Sequence, residues 1–305
     1  MKRAVVFAHY DKDNIVDDYV IYYIKALKKI AQTIVFVSCN NIKNPECLEG
    51  LVDKIIDEPH DEYDFGSYKR GFLFLQDKLG DYDELIFAND SCFGPLYPLE
   101  DVFSEMENKN CDFWGITKNN FGYKKNMKHI FFIKPHVQSY FLVFYKNVFM
   151  DKDFQQFIRS IQHEEIKPNI IIKYEMGLSE FLVNKGFHYA TFVNAYGHIN
   201  NITVLKWRQI LLKHKMPFMK CSLPRLANTN SNTVAGYKDI LKQISDYPIE
   251  LIEKNVMRTK VKDYMSNGCP ILVKRMFFDM IIELPFFVRK ALIIIAKRLF
   301  PFLLD

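Results

Sequence analysis

Over its first 117 residues the chain alternates short, almost unbroken apolar runs with stretches whose apolar residues recur every three or four positions. Few folds accept that order. AVVFAHY (4–10), TIVFVSC (33–39), KIIDEP (54–59), ELIFAND (84–90) and DFWGIT (112–117) read as strands, with Pro59 stopping the third. Between the first two, Val16, Val20, Tyr23, Ile24, Leu27 and Ile30 mark a helix over 17–31. Asp17 and Asp18 open it and Lys25, Lys28 and Lys29 close it, as the helix dipole favours. A short helix is expected near 45–52 and another at 99–107, after a loop stiffened by Pro95 and Pro98. The pattern predicts an α/β fold, a Rossmann-type mostly parallel sheet flanked by helices.

One further helix carries more than packing. In YDFGSYKRGF, Gly66 and Ser67 read as a helix start, Ser67 as its cap, with Lys69 and Arg70 in the first turn and Tyr68, Phe72, Leu75 and Leu79 on one face. Cations there oppose the helix dipole by about 0.3–1 kcal/mol each. An anion bound at that helix end would reverse the penalty, which points to a phosphorylated substrate.

Downstream the alternation loosens. KNNFGYKKNMKHIFFIKP (118–135) carries five lysines and no acid, and reads as a loop, either solvated or closing over an anionic substrate. VQSYFLVFYKN (137–147) reads as a strand, followed by helices near 153–163 and 174–186 and a strand at 188–193. From 200 to 270 the pattern is weak, and NTNSNT (228–233) is a loop. No repeat is visible.

The last residues differ in kind. Residues 271–305 are rich in Phe, Ile and Leu but punctuated by Lys274, Arg275, Arg289, Lys290, Lys297 and Arg298. In a spanning helix the four cations from 289 to 298 would each cost about 2.5–3.5 kcal/mol near the bilayer centre. The short run 291–296 does not offset that, so an amphipathic helical tail lying on an anionic membrane surface is expected. A helix docked on the main domain or a partner is the other solution. The domain reading is therefore 1–270 for the α/β body and 271–305 for the tail.

Composition removes some function classes. A hydrophobic fraction of 49% supplies a sizeable core, while a net charge of +5 is too mild to argue for nucleic acid. The six cysteines are scattered with no CxxC pair, so neither a disulfide framework nor a zinc site is indicated. MKRAVVFAHYD begins with a strand-like run too short for a signal peptide, which favours the cytosolic side.

Open parallel sheets bind ligands beyond the C-terminal ends of their strands, and the polar residues at those ends are the candidates. His9, Tyr10 and Asp11 close the first strand: a ring there can stack on a base and a carboxylate can accept from a base or ribose, or the first two are simply packed. Asp64 and Gly66 lie in the glycine-containing segment, where Gly allows close backbone approach. Asn89-Asp90-Ser91 ends the fourth strand with one carboxylate. Mg2+ or Mn2+ is compatible with Asp90 when substrate phosphates complete the shell. Glu175, at the start of a helix in KYEMGLSE, is placed to act as general base or to serve as an ordinary first-turn acid. Glu180 and Asp112 are alternatives for the base, and His198 is a weaker phosphate or metal contact.

Taken in order, FAHYDKDNIVDDYVIYYIKAL, YDFGSYKRGF, LIFANDSCFGPLYPLEDVF, CDFWGIT, HVQSYFLVF and YEMGLSEFL resemble the rhamnan synthesis protein F family over residues 1–255. The resemblance implies a GT-A-like glycosyltransferase fold and a role in bacterial cell-surface polysaccharide synthesis, often with rhamnose. It assigns the nucleotide to the region of His9, Tyr10, Asp64 and Gly66, and the diphosphate or metal to Asp90. The usual two-carboxylate DxD is Asn-Asp-Ser here. The expectation is an inverting transferase that uses dTDP-L-rhamnose. Glu175 would take the acceptor's proton, while Lys69, Arg70 or a metal near Asp90 steadies the leaving phosphate. Its partners would be a nucleotide-sugar donor, a lipid-linked or glycan acceptor and the cytoplasmic face of the bacterial inner membrane, with no nucleic acid. The alternative is a membrane-associated glycan- or nucleotide-binding subunit without catalysis.

Overall fold

A computed structural model of the chain describes residues 1–123, 131–165, 167–194, 201–227 and 236–259. The elements run β1 (Arg3–His9), α1 (Asp18–Ile30), β2 (Thr33–Ser38), β3 (Lys54–Asp57), α2 (Tyr63–Leu75), β4 (Glu84–Asn89), β5 (Cys92–Phe93) and α3 (Leu99–Glu107). They continue through β6 (Phe113–Tyr123), β7 (Phe131–Val137), β8 (Phe141–Tyr145), α4 (Lys146–Phe149), α5 (Lys152–Arg159), α6 (Lys167–Ile170), a π-helical turn (Ile171–Met176), α7 (Gly177–Asn184) and β9 (Tyr189–Val193). The described chain ends with α8 (Ile202–Leu205), α9 (Trp207–His214), β10 (Met219–Lys220), α10 (Ser222–Ala227), α11 (Tyr237–Ile244) and α12 (Ile249–Arg258).

The main sheet has eight strands in the order β3-β2-β1-β4-β8-β6-β7, with β9 also against β6. β3, β2, β1 and β4 are parallel neighbours, and β9 is parallel to β6. β8 runs antiparallel between β4 and β6. This is the mostly parallel, helix-flanked sheet that the alternation predicts. The chain leaves β1 in one direction to build β2 and β3 and in the other to add β4. The switch point therefore falls between the ends of β1 and β4, where open sheets keep their ligands.

Both faces of the sheet are dry, which explains the unbroken apolar runs. Val5 and Phe7 of β1 and Ile86 of β4 pack with α1 and α3 on one side. Val6, Leu85 and Phe87 pack with Phe65, Tyr68 and Phe72 of α2 on the other. α2 lies so near β1 that a Cβ on Gly71 would overlap the Val6 side chain.

Two local expectations are corrected. α2 begins at Tyr63, three residues before Gly66, and the Gly66 N–H already donates to the Glu62 carbonyl at 3.2 Å. Ser67 is thus an interior residue bonded to His60 (Oγ to Nε2 3.0 Å) rather than a cap, and Lys69 and Arg70 sit in the second turn. The second correction concerns 118–135, read as a loop. Its ends extend β6 and form β7, an antiparallel arm pairing Lys118 with Val137 and Asn119 with His136. The tail at 271–305 lies outside the described residues. No described helix is long and apolar enough to cross a membrane.

Candidate functional site

Parallel register brings the ends of β1 and β4 side by side, Ala8 opposite Asn89. The first residue beyond each strand then makes the central contact: the Tyr10 N–H donates to Asp90 Oδ2 at 2.8 Å. The Asp90 backbone is fixed as well, because its carbonyl accepts from the Tyr19 hydroxyl of α1 at 2.8 Å. The Asp90 side chain is 12% exposed. Burial, with the Asp64 and Asp11 charges adding to it, outweighs the Tyr10 N–H and pushes its carboxyl up to about 8. A carboxyl this reluctant to ionise is a place where a bound cationic group would be stabilised.

Neighbouring candidates gather around it. Asn89 Nδ2 donates to Asp64 Oδ2 at 2.8 Å, while Asn89 Oδ1 accepts from the Ser91 amide and hydroxyl at 3.1 and 2.6 Å. His9 is buried against Phe36, its Nδ1 3.3 Å from Ser38 Oγ and its Nε2 3.9 Å from Asp90 Oδ2. Burial, outweighing the Asp11 charge, drops the His9 pKa to about 4, so it is a neutral imidazole near pH 7. The Tyr10 ring, by contrast, is 61% exposed and open to stacking.

Asp11 is spoken for. Burial raises its pKa, but the Arg258 guanidinium and the Asp13 and Ile15 amides win and hold it below the ordinary carboxylate value. Arg258, the last residue of α12, also donates to Asp13 at 2.8 Å and Asp17 at 2.6 Å. A cavity of about 220 Å3 opens at this edge, lined by His9, Tyr10, Asp11, Tyr19, Asp90 and Arg225 among others. A larger one, about 380 Å3, runs along α3 beside Tyr97, Asp101 and Glu105 and collects none of the strand-end residues. The smaller cavity is the candidate site because of what lines it.

The two cations of α2 have structural partners. Lys69 Nζ donates to the Ile161 carbonyl at 2.6 Å, and Arg70 pairs with Glu62 at 2.6 Å and with its own helix at Gly66 O. Gly66 is buried, and the space a Cβ would need is filled by His60 and Glu62. Its small size serves the entry into α2.

Glu175 sits in the π turn, one residue before it gives way to Gly177 and α7, so its helix is already under way rather than beginning there. Its Oε1 accepts from the Ser139 amide at 3.3 Å. The Ser139-Tyr140 segment is in turn tied to the sheet edge, since Tyr68 OH donates to Ser139 O at 2.9 Å and Asn89 N to Tyr140 O at 3.2 Å. Glu175 is thereby linked to the Asn89-Asp90 edge. Asp112 is at the opposite end of the sheet, just before β6 and next to Tyr145 of β8, accepting from Asn147 and the His188 amide. Glu180 is exposed and paired with Lys134 at 2.5 Å. His198 lies outside the described residues.

Sequence reasoning missed three cations, Lys220, Arg225 and Arg258. All come from the weakly patterned region after 200, and a two-residue pairing of β10 with β5 leaves no periodicity to detect.

The rhamnan synthesis protein F family matches residues 34–298, most of the chain and every element from β2 to α12. The chain belongs to that family. Among curated proteins, an uncharacterized protein, y4gN of Sinorhizobium fredii (strain NBRC 101917 / NGR234), is 30% identical over 133 residues. The shared stretch is 44% of this rhamnan synthesis family chain and 33% of that protein, so about a third of the relative's length is represented. Among solved structures, a CMP:2-keto-3-deoxy-manno-octonic acid synthetase complexed with CTP is 12% identical with a TM-score of 0.39, covering 70% of this chain and all of that one (100%). An inositol-1-phosphate CTP transferase from T. maritima is also 12% identical, with a TM-score of 0.36, covering 70% of this chain and 96% of that one. Likeness at this level says nothing about the site.

Proposed function

We propose that this protein is an inverting glycosyltransferase that moves L-rhamnose from dTDP-L-rhamnose to a hydroxyl of a growing cell-surface polysaccharide. Membership of a family named for rhamnan synthesis supports the polysaccharide and the sugar. One observation carries the reading to the site: Asp90 sits at the switch point, held across β1 by the Tyr10 amide, with an exposed Tyr10 ring beside a small cavity.

In this reading the Tyr10 ring stacks on the base and the diphosphate lies toward Asp90. The acceptor oxygen attacks the anomeric carbon while the bond from that carbon to the phosphate oxygen breaks, its electron pair leaving with the nucleoside diphosphate. The acceptor's proton passes to Glu175. Positive charge develops on the sugar ring, as in other glycosyl transfers.

Among the described residues no three His, Cys, Asp or Glu side chains gather as a metal site. Asp90 alone, with its carboxyl raised by burial first and by the Asp64 and Asp11 charges after it, fits a divalent ion that takes its other ligands from phosphate and water. Such an ion, when bound, would offset charge on the leaving diphosphate.

The test is release of nucleoside diphosphate from dTDP-L-rhamnose, UDP-sugars and GDP-sugars with a lipid-linked acceptor, with and without EDTA. Asp90→Asn keeps the side-chain shape and is expected to lower release at least 100-fold. It should not lower the melting temperature at pH 8, because it removes a charge the fold disfavours. Nucleotide binding without release from any donor would sink the transferase and leave a binding subunit.

A further inference from the structure

Of the cations near the Asp90 edge, Lys69, Arg70 and Arg258 are each satisfied by a carbonyl or by carboxylates. Two others differ. The segment 219–225 is laid directly along the Asn89-Asp90-Ser91 motif: β10 pairs antiparallel with β5, Lys220 opposite Cys92, and the Cys221 N–H donates to Ser91 O at 3.0 Å. Lys220 Nζ then reaches Ser91 Oγ at 3.2 Å and lies 4.0 Å from the centre of the Tyr140 ring. Five residues on, Arg225 lines the cavity with Asp90, and its Nε and Nη2 donate to the Asn255 amide oxygen at 3.3 and 3.0 Å. Among the described residues neither cation is ion-paired to a carboxylate.

Their partners are a hydroxyl, the Cys92 thiol, a π face and an amide oxygen, none of which cancels a positive charge. Both side chains are half-buried, so water compensates them incompletely. Two half-buried, unbalanced cations flanking one motif suit a dianionic group, and a guanidinium with an ammonium is the usual pairing for phosphates. Lys12, also at the cavity, is exposed on its loop and solvated.

Resting on the nucleotide-sugar reading above, we propose that Lys220 and Arg225 bind the donor's diphosphate and offset its charge as it leaves. The role that the sequence pattern suggests for Lys69 and Arg70 thus passes to a segment 150 residues downstream. A motif with a single carboxylate recruits cations of its own, so the diphosphate is held even without a divalent ion.

The test uses the full chain with pyrophosphate, dTDP, UDP, GDP and the matching nucleosides as probes, titrated by calorimetry in EDTA. Wild type is expected to bind one nucleoside diphosphate, and pyrophosphate more weakly. Lys220→Met, which keeps the packing on Tyr140, and Arg225→Gln should each weaken diphosphate binding about tenfold or more. Nucleoside affinity should stay within about twofold, and Lys220→Arg should restore most of the loss. Unchanged diphosphate affinity in both variants, or an equal loss for nucleoside and diphosphate, overturns the inference while the transferase reading stands. Wild type that binds no nucleotide, with or without Mg2+, removes the reading and this inference with it.

Discussion

Two histidines at the strand ends are held neutral by burial, and this has a consequence for acid stability. His60 is pushed down to about 4 by burial and then by the Arg70 guanidinium, against the pull of Glu62 and Asp61. His9 is at about 4 for the first reason. Between about 4 and 6.5 the unfolded chain binds protons that the folded protein refuses. The contribution of these two groups to stability is therefore complete above about 6.5 and falls as the pH drops toward 4. His60→Gln keeps a polar group facing Ser67 and removes one of the two titrations. Its melting temperature should change less between pH 4 and 6.5 than that of wild type, with near-equal values at pH 7.5. Parallel curves across that range would mean His60 protonates freely in the fold. The same residue-scale logic marks Asp90 from the other side: burial makes its carboxyl resist ionisation, so above about pH 8 its charge costs stability.

At the scale of elements, α2 is held against β1 by the absence of a side chain at Gly71. Gly71→Ala would normally stabilise a helix interior, but here the methyl group meets Val6 and must push α2 off the sheet. Overpacking of this kind costs about 1–3 kcal/mol, and denaturant unfolding should show a lower midpoint at unchanged slope. A midpoint at or above wild type would show that Val6 gives way freely. The half of the sheet from β1 to β4 was legible because each strand is buried on both faces and each helix has one dry stripe, so period and burial agree. The β6–β7 arm was not. Lysines crowd its sequence, and Pro135 sits inside β7, which reads as a break unless the strand is an edge; among the described strands β7 pairs with β6 alone. The helix bearing Glu175 was dated too late for a related reason. Its π turn, a form that recurs at functional sites, interrupts the 3.6-residue period between α6 and α7.

For the molecule as a whole, the site joins residues that lie close in sequence to strand ends with others that topology alone brings in. His9, Tyr10 and Asp90 could be read together because parallel register forces the ends of β1 and β4 to one edge. Arg225 and Arg258 could not, since α10 and α12 return to that edge through a region with no strong pattern, held there by Asn255, Asp11, Asp13 and Asp17. Arg258 thus closes the Asp90 edge of the fold only a dozen residues before the cationic, apolar sequence of 271–305 begins. We propose that this tail rests on the anionic inner-membrane surface, which would keep the site near a lipid-linked acceptor. Electrostatic attraction and apolar burial would share the binding, so added salt should weaken it. Removing 271–305 leaves Arg258 and its three aspartates in place. The truncated protein should keep its melting temperature and nucleoside diphosphate affinity while no longer sedimenting with vesicles that contain anionic lipid. If it still sediments with them, the contact lies on the α/β body and the tail has another role.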